Sequence, residues 1–186
     1  MKLSKALVMK CLNVIDQGLV CGLGVPEPGK MCVEAAINYA LGRPHGDDPG
    51  CVAKSVRSLK ITLNDRKWPS NKARAKGLRR LAIAQLGTKG TLDETEFAIR
   101  CTLLVYRAPD FVAWAERWLS GEDRTRESAE AAAWSASAAA AYAASAASAA
   151  TAPAHRTVSL AVFAEQVVQI LVTMKAPAVK YLSLTE

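Results

Sequence analysis

Apolar side chains recur at the spacing of an α-helix along most of this chain, and a glycine, proline or capping residue interrupts each run. The clearest run is Val52, Val56, Leu59 and Leu63. Their spacing of i, i+4, i+7 and i+11 places all four on one face of a helix. No stretch shows the period-two alternation that is typical of a half-buried strand. The sequence therefore predicts an all-α fold.

Capping residues and helix breakers divide the chain into about seven or eight helices. Ser70 and Asp93 are predicted N-caps, Pro109 is a first-turn proline, and Gly87 and Gly121 follow helix ends. Residues 128–154 are almost entirely alanine and serine, which predicts one long helix over about 123–151, close-packed near the centre of a bundle. The predicted helices cover about 3–17, 31–41, 49–63, 70–86, 93–107, 109–119, 123–151 and 157–175.

The length and composition favour one domain in the cytoplasm. A chain of 186 residues that is 51% hydrophobic is large enough for one core. We expect a single helical domain over 1–186, with a basic helical part (1–120) followed by the alanine-rich and C-terminal helices (121–186). The five cysteines are odd in number and lack C-x-x-C spacing, which indicates reduced thiols. Lys10 and Asp16 interrupt the only apolar run near the start, so neither a signal peptide nor a membrane partner is expected.

The strongest functional signal is a concentration of positive charge in residues 54–80. This segment holds ten basic residues and one acid, while the whole chain has a net charge of only +7. Lys72, Lys76, Arg79 and Arg80 form one stripe on the 70–86 helix, where like charges repel unless an anion relieves them. On the preceding helix, 49–63, Lys54 and Arg57 are expected on the side opposite the apolar face. Lys60 is also expected there, but less directly opposite that face. The predicted ligand-binding residues are Lys54, Arg57, Lys60, Lys72, Arg74, Lys76, Arg79 and Arg80.

These cations favour a non-catalytic protein that binds, and could sequester, a phosphate-bearing anion such as a nucleotide signal or a nucleic acid. The alternative is an immunity- or inhibitor-type module whose basic face meets an acidic protein. A plain solvated basic face would need no ligand, and an enzyme whose residues assemble only in the fold is the third interpretation. The small-residue face of the alanine-rich helix would also suit a homo-oligomer. No cofactor is expected, and no local Ser-His-Asp or Cys-His-Asp signature identifies catalytic residues, so an enzyme is disfavoured. A helix-turn-helix is disfavoured because its basic residues would lie on the first helix.

The segment Gly24–Lys30 matches the beginning of a phosphate-binding loop, G-x-x-x-x-G-K. Met31 stands where that motif requires the Ser or Thr that contacts Mg²⁺, and two prolines remove amide donors. The segment therefore predicts an ordinary loop. Gly29 and Lys30 are expected to open the next helix, whose N-terminus would attract anions.

A metal site could be drawn from His45, Asp47 and Asp48 together with Cys32 and Cys51. Their spacing matches no zinc pattern, and the chain has only one other histidine. We expect no metal here. Asp47 or Asp48 is instead predicted to cap a helix that starts at Pro49.

Three stretches carry a resemblance to a protein group. The run His-Gly-Asp-Asp-Pro-Gly-Cys-Val at 45–52, the triplet Leu-Asn-Asp at 63–65 and the segment 70–87 resemble uncharacterised small bacterial and phage proteins. In these proteins a helical N-terminal half precedes an alanine-rich helix, and some are labelled immunity proteins. The resemblance implies a helical fold and a role in conflict between bacteria, phages or toxins. It assigns no chemistry to any residue.

Overall fold

The computed structural model describes residues 2–125, 127–128 and 153–186. In these ranges every regular element is a helix, and the only β-type pairing is an isolated bridge between Gly24 and Met31. The prediction of an all-α, single-domain helical bundle is confirmed. The predicted alanine-rich helix, 123–151, falls almost entirely outside the described residues.

Eight helical segments make up the described structure. The α-helices are α1 (Lys5–Ile15), α2 (Val33–Ala40), α3 (Lys54–Asn64), α4 (Asn71–Ala84), α5 (Glu94–Val105), α6 (Pro109–Ser120) and α7 (Pro153–Thr173), and a 3₁₀ helix follows at Val179–Thr185.

Three predicted helix boundaries are confirmed in atomic detail. The Ser70 hydroxyl accepts a hydrogen bond from the amide of Ala73 at the start of α4. The Asp93 carboxylate accepts from two amides at the start of α5. Gly121 ends α6 in the left-handed conformation that glycine adopts without strain, at φ 87°. Each of these boundaries depends only on residues that are close in sequence.

Two helices begin later than predicted. Helix α2 starts at Val33 with Cys32 as its N-cap, so Lys30 lies in the preceding bridged loop and pairs with Glu27 instead of opening a helix. Helix α3 starts at Lys54, and its N-cap residue, Ala53, supplies no side-chain bond. The predicted cap from Asp47 or Asp48 is therefore wrong.

Helix α4 lies at the centre of the molecule. Leu78, Leu81, Ala82 and Ile83 are fully buried, and α4 packs against α7, α1, α2 and the 3₁₀ helix. A second, smaller apolar cluster joins α5 to α6 around Phe111 and Trp118. Within the described residues, no helix is long and apolar enough to cross a membrane. The central position of α4 means that its cationic side chains reach several neighbouring helices.

Candidate ligand-binding groove

Two cations of the α4 stripe contact the C-terminal end of α1. The Lys72 ammonium donates a 2.7 Å hydrogen bond to the backbone carbonyl of Asp16. The Arg79 guanidinium donates two hydrogen bonds, of 2.8 and 3.1 Å, to the Asp16 carboxylate. A helix C-terminus carries partial negative charge, so both cations stabilise the end of α1. These cations of the predicted ligand set therefore already have partners within the protein.

Arg74, another predicted ligand residue, is buried between the ends of two helices. Its guanidinium donates to the carbonyls of Asn64, at the end of α3, and of Leu19, at distances of 2.8 and 2.9 Å. The Asn64 side chain in turn accepts from the Val33 amide and donates to the Val20 carbonyl. Buried carbonyl groups need such donors. The position of Arg74 makes it a structural residue rather than an exposed anion contact.

Lys60 is completely buried, so the prediction that it projects away from the apolar face is wrong. Its ammonium lies 3.2 Å from the carboxylate of Glu34, which is also fully buried. Burial raises the pKa of Glu34 and lowers the pKa of Lys60, and in each case the opposite charge of the partner counteracts the shift. The partner carboxylate is what allows a lysine to occupy the core.

The two cations at the start of α3 stay at the surface. Arg57 contacts both acids of the preceding loop, at 3.9 Å from Asp47 and 3.2 Å from Asp48. These acids therefore hold the loop against α3 and do not cap the N-terminus of that helix. Lys54 is exposed at the first position of the helix.

The N-terminus of α3 is capped from another helix. The carboxylate of Glu94, at the start of α5, accepts a 2.7 Å hydrogen bond from the Ser55 amide. This bond lowers the pKa of Glu94 because it favours the charged carboxylate. The acid that replaces the predicted Asp47 or Asp48 cap therefore comes from α5.

Two of the predicted residues, Lys76 and Arg80, converge on a groove between α4 and α7. The groove has a volume of about 320 Å³. Trp68, Leu81 and Val168 belong to its apolar wall, and Glu165 is its acidic group. Arg80 donates to Glu165 at 2.9 Å and to the Thr185 hydroxyl at 3.2 Å. Lys76 is exposed and has no ion-pair partner among the described residues. Two of the predicted cations thus line a common concavity here.

Gly77 and Trp68 shape this groove. A Cβ atom at Gly77 would lie 2.4 Å from two carbons of the Trp68 indole, which is nearer than real Cβ contacts come. Glycine therefore lets the indole lie against the backbone of α4. The indole is 6% exposed and is anchored by a 2.9 Å hydrogen bond from its N–H to the Leu63 carbonyl. This packing keeps the apolar wall of the groove in a fixed position.

The metal interpretation gains no support from the geometry. In residues 2–125 and the other described ranges, no cluster of three or more His, Cys, Asp or Glu side chains could hold a metal ion. His45 instead contacts the Gly24 carbonyl through Nε2 at 3.1 Å. All five cysteines are free thiols, and only Cys21 is exposed. The residues around His45 thus connect two loops.

Comparison of the chain with protein-family models, with curated proteins and with solved structures yields no match. The resemblance to small bacterial and phage proteins stays a prediction.

Proposed function

We propose that this chain is a non-catalytic binder of a small phosphate-bearing ligand, of nucleotide size, in the groove between α4 and α7. The observation that carries the proposal is the position of Lys76, an exposed ammonium on a groove that also contains the Arg80 guanidinium. Lys76 and Arg80 are four residues apart on α4, so both side chains project from one helix face. They would act as the anion-binding pair.

The chemistry of the two cations suits a phosphate. A guanidinium has five N–H donors, and the contacts of Arg80 with Glu165 and Thr185 leave others for a ligand oxygen. Hydrogen bonds between a cationic donor and a phosphate are about twice as strong as those between neutral groups. Glu165 offsets one of the two positive charges, which favours a ligand with few phosphates. Lys76 would supply the uncompensated charge.

The size and lining of the groove favour a small organic ligand over a nucleic acid. A volume of about 320 Å³ falls at the lower end of the range for ligand pockets, about 300–1,000 Å³. The partly exposed side chains of Ala73 and Ala161 in the lining could contact the ring of a nucleoside. A duplex, by contrast, needs many free cations along its backbone. Most of the predicted cations instead contact acids or carbonyls inside the protein.

The test is calorimetric titration of the wild type with inorganic phosphate, with mono-, di- and cyclic nucleotides, and with duplex DNA and RNA, at two salt concentrations. We expect micromolar or tighter binding of at least one nucleotide, with a shallow salt dependence because the groove partly shields the phosphate. Lys76→Ala should weaken that binding about tenfold or more through the lost charge-assisted hydrogen bond. The matched control is Lys89→Ala, which removes the same charge from an exposed loop and should leave affinity unchanged.

Three results would contradict the proposal. If Lys89→Ala weakens nucleotide binding as much as Lys76→Ala does, the ligand is attracted by the electrostatic field of the whole protein rather than bound in the groove. Tighter binding of duplex DNA with a steep salt dependence would favour a nucleic acid. If the wild type binds none of these compounds, the phosphate proposal fails, and an immunity-type module for an acidic protein takes its place.

A further inference from the structure

The charged side chains that line the groove between α4 and α7 do not balance one another. Among the described residues they are Lys76, Arg80 and Glu165, so two cations accompany one acid. Arg80 Nε donates a 2.9 Å hydrogen bond to Glu165 Oε2, and these two residues together are neutral. The exposed Lys76 ammonium adds one positive charge. The lining therefore complements a ligand that carries a single negative charge.

The Glu165 carboxylate is held in place through both of its oxygens. Oε2 accepts the bond from Arg80, and Oε1 accepts a 2.8 Å hydrogen bond from the side-chain amide of Gln169, one turn later on α7. A ligand that displaced Glu165 would have to break a charge-assisted hydrogen bond between two ions. We expect Glu165 to stay beside Arg80 when a ligand binds, where it repels a second negative charge.

The hydrogen-bond donors that remain for a ligand belong to two cationic groups. Arg80 uses Nε for Glu165 and one N–H of Nη1 for the Thr185 hydroxyl. That hydroxyl donates its own hydrogen to the Leu182 carbonyl. Nη2 of Arg80 and the ammonium of Lys76 are left for the ligand. Because Cβ atoms four residues apart on a helix are separated by about 5–6 Å, one phosphate group can contact both side chains.

The number of ester bonds on a phosphate decides how well it fits this arrangement. A phosphodiester has one negative charge and two unesterified oxygens, which match the net charge and the two cationic groups of the groove. A phosphate monoester carries about 1.5 to 2 negative charges at neutral pH and has a third oxygen. Its additional charge would lie near the Glu165 carboxylate, which is unfavourable.

We propose that Glu165 is a specificity-determining residue that restricts the ligand of this groove to phosphodiesters, such as cyclic mononucleotides. The inference rests on the proposed function, since it concerns the same groove. Glu165 acts as a repulsive element against phosphate monoesters and diphosphates, while Lys76 and Arg80 attract every phosphate.

Calorimetric titration of the wild-type chain with matched ligands tests the inference. For each of the four common nucleosides, the ligands are the 5′-monophosphate, its methyl ester and the 3′,5′-cyclic monophosphate. The methyl ester keeps the base and the sugar and removes the second charge of the phosphate. We expect the two diesters of the recognised nucleoside to bind about tenfold or more tightly than its 5′-monophosphate at neutral pH.

Glu165→Gln should remove most of this preference. Glutamine has nearly the same shape and keeps an oxygen that can accept from Arg80, so the groove is preserved. The affinity for the 5′-monophosphate should rise about tenfold, and the affinity for the diesters should rise less. The matched control is Glu96→Gln, which removes the same charge from the Glu96–Arg100 pair on α5, outside the groove lining. This control should leave the preference unchanged.

The wild-type ranking decides even if Glu165→Gln does not fold. Monophosphates that bind the wild type as tightly as the diesters would overturn the inference and leave the proposed function standing. A preference that persists in folded Glu165→Gln would exclude the role of Glu165. Equal loss of the preference in Glu96→Gln would also exclude it, because the net charge of the chain would then be the cause. If no nucleotide binds, the proposed function fails and this inference fails with it.

Discussion

Replacing Gly77 by alanine tests the packing that forms the groove. The new Cβ would lie 2.4 Å from Cη2 and Cζ3 of Trp68, whereas ordinary van der Waals contact begins at 3.4 Å. The indole must therefore retreat by at least about 1 Å, or α4 must shift. The ring has little room for this movement because it is 6% exposed. It is also anchored through its N–H to the Leu63 carbonyl.

Three contributions set the size of the effect. Overpacking a core position costs about 1–3 kcal/mol. Loss of the hydrogen bond between Trp68 and Leu63 costs about 1 kcal/mol more. Alanine, however, favours an interior helix position over glycine by about 1 kcal/mol. The free energy of unfolding should therefore fall by about 1–3 kcal/mol.

Urea unfolding followed by circular dichroism measures this change without depending on tryptophan fluorescence. The matched control is a double-mutant cycle with Trp68→Phe, whose smaller ring lacks the two clashing carbons. In that background Gly77→Ala should be neutral or stabilising. If Gly77→Ala stabilises the chain that retains Trp68, the contact between the indole and the backbone of α4 does not exist as described.

Two further predictions concern ionisable groups. At mildly alkaline pH a thiol reagent should label Cys21 rapidly, because it is the exposed cysteine, and the other four only after unfolding. Burial raises the pKa of Cys11 to about 11 and that of Cys101 to about 12, which keeps these thiols protonated. Rapid labelling of a second cysteine in the native protein would contradict this prediction. Because the pKa of Glu94 is lower in the folded state, its contribution to stability is present above the ordinary carboxyl pKa and is lost as the pH falls through the folded value. Glu94→Gln should therefore flatten the acid side of the stability profile, and an unchanged profile would show that the bond to Ser55 is not formed.

The sequence predicts those features of the fold that depend on neighbouring residues. The caps at Ser70 and Asp93 and the glycine at the end of α6 need only a few adjacent side chains and amides. The start of α3 cannot be predicted from neighbouring residues, because the acid that caps it is Glu94, which follows Ser55 by 39 residues. A cap that depends on tertiary contact leaves no local signal.

The internal partners of the basic stripe could not be predicted from the sequence for the same reason. Helix α4 contains no acidic residue that could neutralise the stripe of Lys72, Lys76, Arg79 and Arg80. Asp16 and Glu165, which contact Arg79 and Arg80, lie 63 and 85 residues away. Helix packing brings these acids to α4, so repulsion within the stripe is relieved largely inside the protein. The apolar wall of the groove, including Trp68, likewise forms only when α4 and α7 meet.

Lys60 and Glu34, by contrast, did leave a signal in the sequence. Lys60 follows Val56 by four residues and precedes Leu63 by three, so helical periodicity places it beside buried side chains. Glu34 is flanked in α2 by apolar residues on both sides. A charge on an apolar face needs an opposite charge in the core, because an unpaired buried ion is severely unfavourable. These two exceptions to the apolar pattern therefore indicate, from the sequence, a buried ion pair between Lys60 and Glu34. This pairing removes Lys60 from the predicted ligand-binding residues. Lys76 and Arg80 remain, and both line the groove between α4 and α7.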